Sequence, residues 1–188
     1  SAAQIAASLT LGSAQQQLDE PGEAPEIAIG NYLTEMMHLC RRGDDVNQEG
    51  RIVPASLARV DFFHWTLVDL PPDTPAIARG EFSDGVTARG KPGPHAPRGA
   101  RQGTNDYTGW FAGDKDMAGN YFGYDGPCPP WNDEIPHRYV FALYALDVPR
   151  LSTVGVFAGA DVRAAMAGHV IGQAAVTGRY TLNPAVML

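Results

Sequence analysis

Val60-Asp61-Phe62-Phe63-His64-Trp65-Thr66-Leu67-Val68-Asp69-Leu70 decides the fold. The stretch is rich in aromatic and β-branched residues, which suit a pleated, half-buried surface better than a helix, and Pro71-Pro72 closes it. Strict two-residue alternation puts Val60, Phe62, His64, Thr66 and Val68 on one face and Phe63, Trp65 and Leu67 on the other. Both faces are largely apolar, so the segment predicts a central strand covered on both sides.

Working outward, residues 138–146 repeat the pattern. His137, Tyr139, Phe141 and Leu143 share one side, and Val140, Ala142 and Tyr144 the other. Residues 81–87 and 176–182 read as weaker strands. Helical signals are few. Asp161 reads as the N-cap of a helix over 162–167 with Gly168 as its stop, and 27–39 is a second helical candidate of irregular period. The expected class is mostly β, with sandwich-like antiparallel sheets, long loops and one short helix toward the C-terminal end.

The 188 residues fit one ordinary domain, and at 44% hydrophobic and 19% charged the composition is that of a globular chain. Twenty-one acids against 14 bases give a net charge of −7, and Lys91 and Lys115 are the only lysines. That balance excludes a general nucleic-acid binder, which needs a basic face. No apolar run approaches the length of a membrane span. Residues 1–12 lack the basic start of a signal peptide, and the expected location is cytoplasmic. Cys40 and Cys128 are too few for a disulfide framework or a cysteine zinc site and are expected to be reduced and unpaired.

Gly 21 and Pro 15 point to many loops. Residues 86–103 carry Arg89, Lys91, Arg98 and Arg101 with no acid; without aromatic platforms for bases they read as a solvated loop. Residues 109–130 hold Asp114-x-Asp116, Gly119 and Asp125, but Ala118 stands where a calcium loop needs a ligand, so a solvated acidic turn is expected. No nucleophile elbow, phosphate-binding glycine loop, dinucleotide fingerprint or zinc-helix motif is present, and no cofactor is implied. Cys128 lies among prolines, which make no helix N-terminus to activate a thiol.

His64 and His137 stand out because each occupies a strand position suited to an apolar side chain. Each reads as a satisfied core residue or as a ligand-binding group. Gly126-Pro127-Cys128-Pro129-Pro130 would form a rigid wall, since prolines supply shape but no N–H. Tyr139 shares the face of His137. Imidazoles, a phenol and such a wall suit a small anion better than acyl transfer, which needs a nucleophile.

Phe63-His64-Trp65-Thr66-Leu67-Val68-Asp69-Leu70-Pro71, Asn105-Asp106-Tyr107, Gly123-Tyr124-Asp125-Gly126-Pro127-Cys128-Pro129-Pro130, His137-Arg138-Tyr139-Val140-Phe141-Ala142-Leu143-Tyr144-Ala145-Leu146-Asp147 and Ala167-Gly168-His169-Val170 occur in order. Together they resemble the phosphatidylethanolamine-binding protein family, in its bacterial Raf-kinase-inhibitor-like branch, over residues 43–184. The resemblance implies a β-sandwich-like fold with a small anion pocket for phosphate-like head groups. His64 and His137 match its histidines, Gly126, Pro127, Cys128, Pro129 and Pro130 its wall, and Tyr139 a pocket-side tyrosine. Residues 1–42 do not follow the family pattern. The slot of its Asp-Pro-Asp-x-Pro motif falls on Met36-Met37-His38-Leu39-Cys40, so the pocket carboxylate must come from elsewhere, with Asp44, Asp45 and Asp61 as candidates.

The leading expectation is a non-enzymatic binding protein for a phosphate-bearing or carboxylate ligand such as a phospholipid head group. The alternative is a protein-interaction module inhibiting a kinase or protease, and a hydrolase stands third for want of an activated nucleophile. A homodimer is compatible with the first two.

Overall fold

The computed structural model describes the backbone of residues 29–38, and residues 52–78, 80–82 and 87–188 in full. Five strands form one antiparallel sheet in the order β3-β2-β1-β4-β5. They are β1 (Ile29–His38), β2 (Arg59–Leu70), β3 (Arg101–Gln102), β4 (His137–Leu146) and β5 (Val170–Tyr180). Two helices interrupt them, α1 (Tyr107–Trp110) and α2 (Gly159–Met166). The mostly-β antiparallel class holds, and among the described residues the named strands belong to one sheet.

β2 is buried from Phe62 through Val68 and again at Leu70, as its two apolar faces require. Its faces do not alternate strictly. Trp65 pairs with Leu33 and Phe63 with Thr34, so His64 is an extra residue with no opposite number on β1. A second slip lies between the pairs Asn31–Leu67 and Ile29–Leu70, next to Asp69 with its φ of 59°. Each bulge swaps the face of the residues beyond it. Trp65, Leu67 and Leu70 therefore join one core cluster with Phe82, Ala100, Tyr139 and Phe141. Phe63 and Val68 join another with Leu146, Leu151, Phe157, Val162 and Met166. Leu67, Val68, Leu146 and Val162 are wholly buried, and burying such a side chain contributes about 1.5–3 kcal/mol.

Four expectations of secondary structure need correction. Residues 29–38 of the helical candidate form β1, because β2 and β4 pair with its two sides and that pairing overrides a weak helical period. Glu81, Phe82 and Thr87 are not in a strand, and 83–86 lie outside the described residues. The strand expected over 176–182 starts at Val170 and ends at Tyr180, because the whole stretch pairs with β4. Asp161 is the third residue of α2, which begins after Ala158; its carboxylate still satisfies an end group, accepting the Ala158 N–H at 2.8 Å.

The basic loop is not simply solvated. Arg101 is 9% exposed; its guanidinium donates to Asp69 at 2.5 Å and to the carbonyls of Leu151 and Thr153. The same Asp69 accepts the Leu151 N–H at 3.0 Å, so the second bulge anchors the chain that leads from β4 to α2. Lys91 likewise turns inward.

Candidate functional site

The first bulge builds the centre of the site. His64 is fully buried, and its carbonyl accepts the Asp125 N–H at 3.1 Å. Its Nδ1–H donates in return to the Asp125 carbonyl. This two-way clasp fixes the segment leading into Gly126-Pro127-Cys128-Pro129-Pro130 against β2. Gly126 has φ +134°, and a Cβ there would lie 2.5 Å from Nδ1 of His64. Only glycine lets the wall approach the ring this closely. Pro129 is buried, Pro127 and Pro130 are half-buried, and Cys128 is exposed. Cys40 lies outside the described residues. A cis peptide stands at Gly126–Pro127, where the wall begins.

Aromatic rings surround His64. Phe62, Tyr107 and Tyr139 have centroids 4.9, 5.4 and 5.6 Å from the imidazole. Trp110 meets Phe62 edge-on and is 44% exposed, so the cluster reaches solvent. Behind the strand, Asp106 accepts the Phe63 N–H at 2.7 Å and donates its own N–H to the Phe63 carbonyl at 2.9 Å. Burial pushes the Asp106 carboxyl above its ordinary value, against the pull of that N–H and of the neighbouring His64 and Arg163 side chains.

His137 is 2% exposed at the start of β4, on the pleat face it shares with Tyr139. Its Nε2 lies 2.6 Å from Oδ2 of Asp133, which is fully buried. Oδ1 of Asp133 accepts from Arg59 at 2.9 Å and from the Ile135 N–H at 3.1 Å. Burial lowers the Arg59 pKa while the Asp133 charge holds it up. The result is a buried chain running from Arg59 through Asp133 to His137.

The structure thus gathers His64, Tyr139 and Gly126, and places His137 beside Tyr139 with one ring nitrogen committed to Asp133. Of the proposed pocket carboxylates, Asp61 sits in an exposed ion pair with Arg163 at 3.0 Å, and Asp44 and Asp45 lie outside the described residues. Among the described residues the acids against the histidines are Asp106, Asp125 and Asp133; the sequence reading places Asp125 in a solvated acidic turn and assigns neither Asp106 nor Asp133 to the site. Asp133, four residues before His137, is the one a local reading could have reached. Asp114 and Asp116 are exposed, and Oδ1 of Asp114 accepts the N–H groups of Asp116 and Met117.

These features define a mostly-β protein in which a buried histidine, an aromatic cluster and a glycine–proline segment pack together. The chain belongs to the phosphatidylethanolamine-binding protein family, whose sequence pattern matches residues 45–181. It is 35% identical over 163 residues to a UPF0098 protein of Methanothermobacter thermautotrophicus, covering 85% of this chain and 76% of that one. It is 29% identical over 120 residues to the UPF0098 protein YbhB of Escherichia coli, covering 64% of this chain and 62% of that one. The crystal structure of E. coli YbcL, described as a member of the mammalian PEBP family, matches its fold with a TM-score of 0.53 at 22% identity, over 85% of this chain and 74% of that one. Among the described residues, no helix is long and apolar enough to cross a membrane.

Proposed function

We propose that this chain is a non-enzymatic binding protein whose cleft, formed by His64, His137, Tyr139 and the wall of Gly126, Pro127, Cys128, Pro129 and Pro130, takes a small phosphate- or carboxylate-bearing ligand such as a phospholipid head group. One observation carries the reading: the Nδ1–H of His64 is committed to the Asp125 carbonyl. In the neutral ring Nε2 then carries no proton, so Nε2 becomes a donor only as imidazolium. An anion at that edge would add to the negative charge that neighbouring acids such as Asp106 bring to the imidazolium. The family's description as phosphatidylethanolamine-binding supports the same ligand class.

An imidazolium and an anion about 4 Å apart gain on the order of 4 kcal/mol at an effective dielectric of about 20, before desolvation is subtracted. An ordinary imidazole titrates near 6.5, so affinity should rise as pH falls from about 8 toward that value. It should level off as a phosphomonoester takes up its second proton at about pH 6. Calorimetry with inorganic phosphate and with glycerophosphoethanolamine at three pH values tests this. His64→Ala and His137→Ala should weaken binding, while His95→Ala, in an exposed part of its loop, should not. Unchanged affinity in both pocket variants would return the two histidines to the core. Turnover of generic ester or phosphoester substrates would overturn the non-enzymatic part.

A further inference from the structure

Lys91 is one of two lysines in the chain and comes from the loop whose composition suggests a solvated, basic segment. Its ammonium instead donates at 2.7 Å to Oδ1 of Asp125 and at 2.7 Å to the Tyr124 carbonyl. Both side chains of the ion pair are 14% exposed. Asn105 donates to the second carboxylate oxygen of Asp125 at 2.8 Å and to the Gly123 carbonyl at 3.0 Å. The lysine's own backbone is seated by two close approaches. A Cβ on Gly90 would lie 1.9 Å from the Asn120 carbonyl oxygen, and one on Gly119 would lie 2.0 Å from that of Arg89. The turn that presents Lys91 is therefore built against the segment leading to Asp125, and the ion pair follows from the fold.

We infer that Lys91 is a positioning residue of the cleft: it masks the negative charge of Asp125, the residue clasped to His64, so that an anion can be held on the other side of that imidazole. This deepens the binding reading above and rests on it. Covalent geometry keeps a carboxylate within roughly 6 Å of its own residue's carbonyl oxygen, here the acceptor of the His64 Nδ1–H. An anion on the far edge of the ring would then lie roughly 9 Å from the Asp125 carboxylate. Left bare in a setting of effective dielectric about 20, that carboxylate would weaken binding of a monoanion about twentyfold. Charge masking makes two demands that mere bracing does not. Removing the lysine should harm anion binding, and removing the carboxylate as well should restore it.

The test uses the full chain. Inorganic phosphate is titrated at pH 5.5, where an ordinary imidazole is mostly charged in every variant. Lys91→Met should bind about twentyfold more weakly than wild type, and Lys91→Arg within about threefold of it. The double variant Lys91→Met/Asp125→Asn should regain most of the loss. Without phosphate, the His64 ring is titrated by NMR. A bare Asp125 should raise its pKa in Lys91→Met, and the double variant should bring it back. The other titratable groups packed around the ring, Asp106, Tyr107 and Tyr139, are the same in all of these chains. Thermal melts check that each variant folds. An unmoved His64 pKa in Lys91→Met, or a double variant as weak as the single one, overturns the inference. If wild type binds no phosphate, the binding reading fails, and the His64 titration still decides the masking role.

Discussion

Replacing Gly126 by alanine asks a buried imidazole to retreat with nowhere to go. The new Cβ would sit 2.5 Å from Nδ1 and 2.9 Å from Cε1 of His64, about 1 Å inside an ordinary contact. The ring is held on one edge by the Asp125 carbonyl and walled by Phe62, Tyr107 and Tyr139. Two costs combine. Overpacking a filled site costs about 1–3 kcal/mol, and alanine at φ +134° adds backbone strain of about 1–3 kcal/mol. A total of about 2–6 kcal/mol, at about 3 °C per kcal/mol for a chain of this size, lowers Tm by roughly 6–18 °C. Gly99→Ala is the matched control. Its φ is +76° and a Cβ there meets nothing within 4 Å, so only the backbone cost of about 1–2 kcal/mol applies. Scanning calorimetry of the two variants, with phosphate affinity measured beside it, makes the comparison. If Gly126→Ala melts with Gly99→Ala and binds phosphate like wild type, the close packing of wall against imidazole is not what shapes the cleft.

Asp133→Ala leaves Arg59 and His137 buried without their shared carboxylate, which should cost about 3–5 kcal/mol in a urea melt; a loss under about 1 kcal/mol would show that the chain is not a unit. Asp106, an acid whose folded pKa is raised chiefly by burial, makes the native state bind more protons than the unfolded chain between the ordinary value of 3.8 and the raised one. Stability should therefore fall as pH rises through that window. Asp106→Asn, which keeps an acceptor for the Phe63 N–H, should flatten that slope in urea melts across acid pH, and an identical slope in both chains would remove burial of Asp106 as its cause.

β2 and β4 were legible in sequence because burial on both faces leaves a run of aromatic and β-branched residues that no surface strand carries. The phase of β2 was not. Nothing in Phe63-His64-Trp65 announces an extra residue, since a bulge is a property of the pair of strands. β1 was missed for a related reason: its place between β2 and β4 comes from ladders on both sides and leaves no strong local period. The two histidines were visible as polar residues in apolar strands, and Gly126 and its prolines as a rigid run. Their partners were not, because His64 meets Asp125 across 61 positions and Lys91 meets it across 34, separations that carry no local pattern. Asp161 shows the smaller error of this kind: its role at the start of α2 was right in chemistry and misplaced by three residues.

The two slips in β2 behave like a pair of insertions in a text read two letters at a time. Outside them, from Phe63 back and from Leu70 on, the strand is in one frame. Between them, Trp65, Thr66, Leu67 and Val68 are in the other. A relative shortened by one residue at His64 would lose no rung of the β1–β2 ladder and would still bring Trp65 and Leu67 to the same core. It would lose only the imidazole and the carbonyl that clasps Asp125. The ladder itself therefore does not require His64; what that residue adds is the clasp on Asp125 and a ring against which Gly126 packs.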